Sequence, residues 1–220
     1  MDAETQGDVA SLLAGERPCE PNATKCEYCA GGCQDLQSLG TKAASCEVMD
    51  IGGPWIERTH WSVPSREKGG STDILVYRSS GSDLCFSQRH GGGSWSVPST
   101  TKLTDIHANT NAGTLPDGRV YLLHNPVIAS KSKRDPLVLS LSSDGYSFDQ
   151  AFVALSCRLP PVTSPGQKTS GCTARNHMGG GSPGPQYPQG LVHGGDLYVI
   201  MSMNKEDIWV QRIPLNSVTT

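Results

Sequence analysis

No stretch of this sequence approaches the roughly 20 consecutive apolar residues that a membrane helix needs, so no membrane span is expected. No Lys/Arg-rich block is present either. With 18 basic and 21 acidic residues the net charge is −3, and nothing points to nucleic acid or to an anionic membrane surface. The start, Met1-Asp2-Ala3-Glu4, lacks the basic and apolar parts of a signal peptide. Gly179-Gly180-Gly181 lacks the Lys-Ser/Thr of a phosphate loop and reads as a linker. No Ser-His-Asp or His-x-x-x-His pattern stands out: His107, His124, His177 and His193 fall on separate loops and strand ends. No cofactor and no metal are expected.

Cysteine, by contrast, is plentiful. Five of the eight cysteines fall between Cys19 and Cys46, and Asn22-Ala23-Thr24 in their midst is an N-glycosylation sequon. Together they point to an oxidising compartment. The expectation is therefore an extracellular or secretory-pathway protein whose leader lies outside this chain. Cys26-x-x-Cys29-x-x-x-Cys33 could instead hold zinc, but structural zinc sites usually arrange two ligand pairs, and no His lies nearby. Five cysteines cannot all pair among themselves, so at least one must reach Cys85, Cys157 or Cys172, or stay free. Cys157 and Cys172 bracket a loop and could pair with each other.

The chain divides by texture. Residues 1–17 are a short N-terminal segment in which Val9, Leu12 and Leu13 allow a helix over 5–14. Residues 18–50 have almost no large apolar side chains and read as a Cys-rich insertion dependent on cross-links. In residues 51–220 short apolar runs alternate with Gly/Pro turns, and a Gly/Pro-rich insertion is expected at 157–188. Predicted strands are Asp73–Arg78, Leu84–Ser87, Asn111–Leu115, Arg119–Leu123, Leu137–Leu141, Leu191–Val192, Leu197–Met201 and Ile208–Arg212. Pro116-Asp117-Gly118 is a turn with a mechanism: Pro presets φ, Asp bonds the backbone and Gly accepts positive φ.

An aliphatic-Tyr pair at Val76-Tyr77, Val120-Tyr121 and Leu197-Tyr198 reads as the opening of a repeated strand. Repeated hairpins that cannot bury both faces alone suggest blades packed around an axis. A β-sandwich with irregularly spaced strands is the alternative.

Ser142-Ser143-Asp144-Gly145-Tyr146-Ser147-Phe148 looks like an Asp box, one residue shorter than the usual Ser-x-Asp-x-Gly-x-Thr-Trp. His90-Gly91-Gly92-Gly93-Ser94-Trp95 is a degenerate copy without the Asp. With Asn125-Pro126 and Arg134-Asp135-Pro136-Leu137, these residues make the chain resemble the sialidase-like BNR/Asp-box family over about residues 55–214. The resemblance implies an all-β fold, a six-bladed β-propeller of which about three to four blades are present. It implies a retaining, exo-acting glycosidase on sialic acid or another acidic sugar, with a Tyr nucleophile. By motif position, Arg78 and Arg134 resemble arginines that clamp the substrate carboxylate, and Tyr187 the nucleophile. The base Glu is not at its expected place, where Trp61-Ser62 stands; Glu57 is the nearest candidate. Glu67 sits in a polar loop and reads as solvated. The family's first clamp arginine and acid Asp have no counterpart before Cys19. Either arginine could simply lie on the surface, and Tyr187 could simply pack in its Pro-rich loop. A non-catalytic carbohydrate- or protein-binding propeller is therefore the alternative function. The expected partner is a glycan carrying an acidic sugar, with self-association through uncovered blade edges.

Overall fold

A computed structural model describes residues 58–66, 69–78, 83–106, 108–126, 134–156 and 184–218. The segments 1–17 and 18–50, Glu57, Glu67, His107, His177 and most of the 157–188 insertion lie outside the described residues.

The described residues are all-β apart from one 3-10 turn at Leu215–Val218. Eleven strands form three antiparallel sheets in chain order. Sheet 1 contains β1 (Arg58–Pro64), β2 (Ser71–Arg78), β3 (Asp83–His90) and β4 (Ser99–Thr104). Sheet 2 contains β5 (Asn111–Thr114), β6 (Val120–His124), β7 (Leu137–Ser142) and β8 (Gln150–Leu155). Sheet 3 contains β9 (Pro185–His193), β10 (Asp196–Met203) and β11 (Asp207–Pro214). In each sheet the strands pair with their sequence neighbours. Among the described residues no helix is long and apolar enough to cross a membrane.

The period-2 alternation of strand side chains stacks these sheets. On β6, Val120 and Leu122 point into a core shared with Trp61, Val63, Ile74, Val76, Leu84 and Phe86 of sheet 1. Tyr121 and Leu123 point the other way, into a core shared with Leu197, Val199, Met201 and Met203 of β10. Sheet 2 is therefore covered on both faces, which is why β6 and β7 are buried along their whole length and carry apolar residues on both faces. The first strands of the three sheets are neighbours. The Ala112 N–H donates to Thr59 Oγ1 at 2.9 Å, joining β5 to β1. The Gly190 N–H donates to Asn111 Oδ1 at 2.9 Å, joining β9 to β5. Tyr121 lies across Gly113 and Gly190, where a Cβ would come within 2.8 and 2.5 Å of its side chain.

The Asp-box sequence is the β7–β8 turn. Asp144 Oδ1 accepts from the N–H groups of Tyr146 and Ser147, both at 2.8 Å, and Ser142 Oγ accepts from Gly145 N–H at 2.8 Å. Burial pushes the Asp144 carboxyl up, but these N–H donors, Ser142 and Arg66 outweigh it and hold it below the usual carboxylate range. The turn is clamped to sheet 1: Trp61 Nε1 donates to the Gly145 carbonyl at 2.9 Å, and the Phe148 ring meets Trp61 edge-on at 5.8 Å. The degenerate copy at residues 90–95 occupies the equivalent β3–β4 turn, with Gly91 and Gly92 at positive φ.

Two expectations need correction. Val76-Tyr77 does not open a strand; it lies near the C-terminal end of β2, whereas Val120-Tyr121 and Leu197-Tyr198 stand at the starts of β6 and β10. The three pairs do mark the second strand of each sheet, but out of phase. The expected insertion also reaches too far: β9 begins at Pro185 and takes Tyr187 and Pro188 into a strand. Cys85, buried in β3, is disulfide-bonded.

Candidate functional site

Antiparallel order fixes which loops share an end. The first and third strands of a sheet run in the same sense, so the starts of β5 and β7 lie together with the end of β6. Arg134 precedes β7, the third strand of sheet 2. Tyr187 lies near the start of β9, the first strand of sheet 3.

Asn125 joins the two. It is completely buried after β6, and its Nδ2 is directed at the carbonyls of Arg134 (3.2 Å), Pro136 (3.0 Å) and Pro185 (2.9 Å). One side chain thus fixes the backbone before β7 against the backbone that opens β9. Gly184 permits the same approach. Its φ is +122°, and a Cβ there would meet the Arg134 carbonyl oxygen at 2.3 Å.

On this frame Arg134 and Tyr187 converge. The Arg134 guanidinium lies 5.0 Å from the Tyr187 ring centre, and its Nη1 donates to Oε1 of the buried Gln186. Tyr187 has φ +55°, rare for a residue with a Cβ. It sits where the β9–β10 register shifts, between the pairs Gln189–Ile200 and Gln186–Ser202. The bulge re-aims the side chain that regular pleating would have directed elsewhere. Lys205, on the β10–β11 turn, brings its Nζ within 5.8 Å of the same ring centre. Burial pushes the Tyr187 phenol up, but the hydrogen bond and charge of Arg134, with Lys205, outweigh it and hold the phenol below its ordinary range. Among the described residues, the charged groups acting on this hydroxyl are both cationic.

Arg78 closes β2 at the matching end of sheet 1. That end is identified by β4 and β6: Thr104 carbonyl contacts His124 Nδ1 at 3.2 Å, and Asp105 Oδ2 accepts from Asn125 N–H at 3.2 Å. By alternation, Arg78 continues the Ile74–Val76 face, which is turned toward sheet 2. Glu57, the expected base, lies outside the described residues.

Sequence reasoning did not find Lys205, Gln186 or Gly184. For Lys205 the one usable signal was its neighbour Asn204, a turn-favouring residue between two predicted strands. What that turn faces is fixed by packing alone.

The arrangement gathers two cations and a phenol at one end of the stacked sheets. It can bind an anion beside a ring. It also holds a tyrosine whose phenol lies below its ordinary range beside two cations. No curated protein matches the chain. The model of the BNR repeat-like domain matches residues 60–199, well over half the sequence and the span of all three sheets up to β10; the chain belongs to that BNR repeat-like family.

Proposed function

We propose that the chain is part of a sialidase-like β-propeller whose Arg134–Tyr187 site binds the carboxylate of an acidic sugar. The observation that carries this reading is the guanidinium of Arg134 held 5.0 Å from the Tyr187 ring at the end where the first strands begin. A planar guanidinium matches a carboxylate through paired N–H donors. Gln186 orients that guanidinium, and the ring offers a flat surface for a sugar. Arg78, at the same end of sheet 1, is the second clamp arginine in this reading. The test is binding of N-acetylneuraminic acid against its methyl ester. The acid should bind and the ester should bind much more weakly. Arg134→Lys, which keeps charge but loses the fork, should lower affinity for the acid. Equal binding of acid and ester would remove the proposal.

Hydrolysis is the second reading, favoured by the lowered Tyr187 phenol. In it, Tyr187 attacks the anomeric carbon, a carboxylate base takes the phenolic proton, and an acid protonates the departing alcohol. Glu57 is the candidate base. Release of the fluorophore from a sialic acid glycoside, abolished by both Tyr187→Phe and Glu57→Gln, would support it. Binding without release would leave a lectin-like site.

We also propose an oxidising compartment, extracellular or along the secretory route. Supports are the disulfide at Cys85 and the sequon among crowded cysteines. Material from an oxidising host should expose few free thiols on denaturation without reductant; a count near eight would reject this.

A further inference from the structure

The turn that joins β10 to β11 is closed by the Glu206 N–H donating to the Met203 carbonyl at 3.0 Å. Its two central residues, Asn204 and Lys205, have φ +58° and +62°. Two positive φ values in succession are the pattern of a type I′ turn, whose preferred pair is Asn-Gly. Asn204 fits that preference. It is tied to the start of β9 twice, through its N–H to the Gly184 carbonyl (3.0 Å) and through its Oδ1 from the Gly184 N–H (2.8 Å). Lys205 does not fit. A Cβ is disfavoured at this φ, and glycine would relieve it.

The strained residue is also the one that reaches the site. Lys205 is exposed, and its ammonium is directed at the Tyr187 ring that already carries the Arg134 guanidinium. Among the described residues no carboxylate forms an ion pair with Lys205. Two cations gathered on one ring repel each other, and a bound anion would turn that repulsion into shared attraction. The Asn204–Gly184 bonds hold the turn in register with the backbone beside Arg134, so the lysine is positioned by a rigid element.

We infer that Lys205 is a further cationic recognition residue of the Arg134–Tyr187 site, contributing an ammonium contact to the anionic group of a carboxylate-bearing sugar. The inference rests on the acidic-sugar reading above and adds a residue to it. Lysine on this turn trades backbone strain for charge at the site, so the substitution that removes the charge also relaxes the backbone.

That opposition makes the test sharp. Lys205→Gly should leave the thermal midpoint unchanged or raise it. It should weaken binding of N-acetylneuraminic acid about five- to tenfold, as loss of one charge-assisted contact would, and flatten its salt dependence. The Tyr187 phenol, followed by its carbon resonances on titration, should move up in Lys205→Gly and stay near the wild-type position in Lys205→Arg. Lys205→Arg should also keep most of the affinity. Wild-type binding that survives in Lys205→Gly, with the phenol unmoved, would overturn the inference while leaving the Arg134–Tyr187 site intact. Absence of binding by the wild-type protein would instead overturn the acidic-sugar reading, and the role of Lys205 with it.

Discussion

Asn125 directs one amide group at three carbonyls from two sheets, and that is the least replaceable contact near the site. Asn125→Asp keeps the size but turns an oxygen toward three oxygens in a buried place. A loss of roughly 2–4 kcal/mol is expected at neutral pH, measured by denaturant unfolding, and the Tyr187 phenol should lose its downward shift as Arg134 moves. A variant as stable as wild type would show that the amide is not what holds the two segments. His124 makes a second prediction. Completely buried, it contacts the Thr104 carbonyl and Ser140 Oγ, and burial pushes its pKa down to about 4 despite the Thr104 contact. The unfolded imidazole titrates near 6.5. Between these values the unfolded state binds the extra proton, so the stabilisation is fully present above about pH 6.5. It fades as pH falls toward 4, by an amount on the order of 3 kcal/mol. His124→Gln should flatten that part of the stability–pH curve; an unchanged slope would assign the acid sensitivity elsewhere. At this scale the sequence was partly legible. Arg134 and Tyr187 could be proposed from their places beside Asn-Pro, Asp-Pro and Tyr-Pro steps. Lys205 and Gln186 could not, because their relevance comes from a bulge and a turn that packing brings together.

The β7–β8 turn is the element whose sequence carried the most information. Its Ser142, Asp144 and Gly145 each do a local job, so a short motif specified the structure without knowledge of the rest. Gly145 also has a distant constraint. Its φ is +74°, and a Cβ there would lie 2.2 Å from Val63 Cγ1 on β1. Gly145→Ala is therefore expected to cost roughly 2–4 kcal/mol from backbone strain and clash together. Val63→Ala removes the clash but not the strain. The double variant should be less destabilised than the two single losses added, by chemical denaturation. Strict additivity would mean that the turn and β1 do not press on each other. Strands with local signals, such as β3, β7 and β11, were legible. β1, β4 and β8 were not. β4 (Ser99–Thr104) is polar, with Thr101 bonded to the Leu84 carbonyl, so it shows no apolar run; β8 does carry one, Ala151–Leu155, but a short run without polar alternation does not by itself distinguish a strand from a helical segment. β1 alternates cleanly, but only Trp61 and Val63 among its residues are large apolar groups on the buried face. The aliphatic-Tyr repeat misled on phase because Tyr77 and Tyr121 are buried at opposite ends of their strands for unrelated reasons.

Across the whole molecule the stacking is asymmetric. Sheet 2 is buried on both faces, and sheet 3 buries only the face bearing Leu197, Val199, Met201 and Met203. Its other face carries Leu191, Ile200, Ile208 and Val210, all exposed, with Ile200 directly opposite Val210 across the β10–β11 pair. Among the described residues β11 pairs only with β10, so an open strand edge adjoins this apolar face. Repeated sheets that pack face to face leave such a surface at the end of a stack, and a contiguous apolar patch beside an open edge favours association. The 220-residue chain is therefore expected to self-associate through sheet 3, with a sedimentation coefficient that rises with concentration across the micromolar range. Ile208→Lys with Val210→Lys should shift it toward monomer. These two side chains are 77 % and 65 % exposed, so their replacement removes little intramolecular burial, and the thermal midpoint of the dilute protein should hold. Val97 is equally exposed, at 67 %, but lies between β3 and β4 of sheet 1, away from this patch. Val97→Lys should leave association unchanged. A wild-type chain that sediments as a monomer throughout, or a Val97→Lys effect as large as that of the sheet 3 pair, would separate self-association from this face.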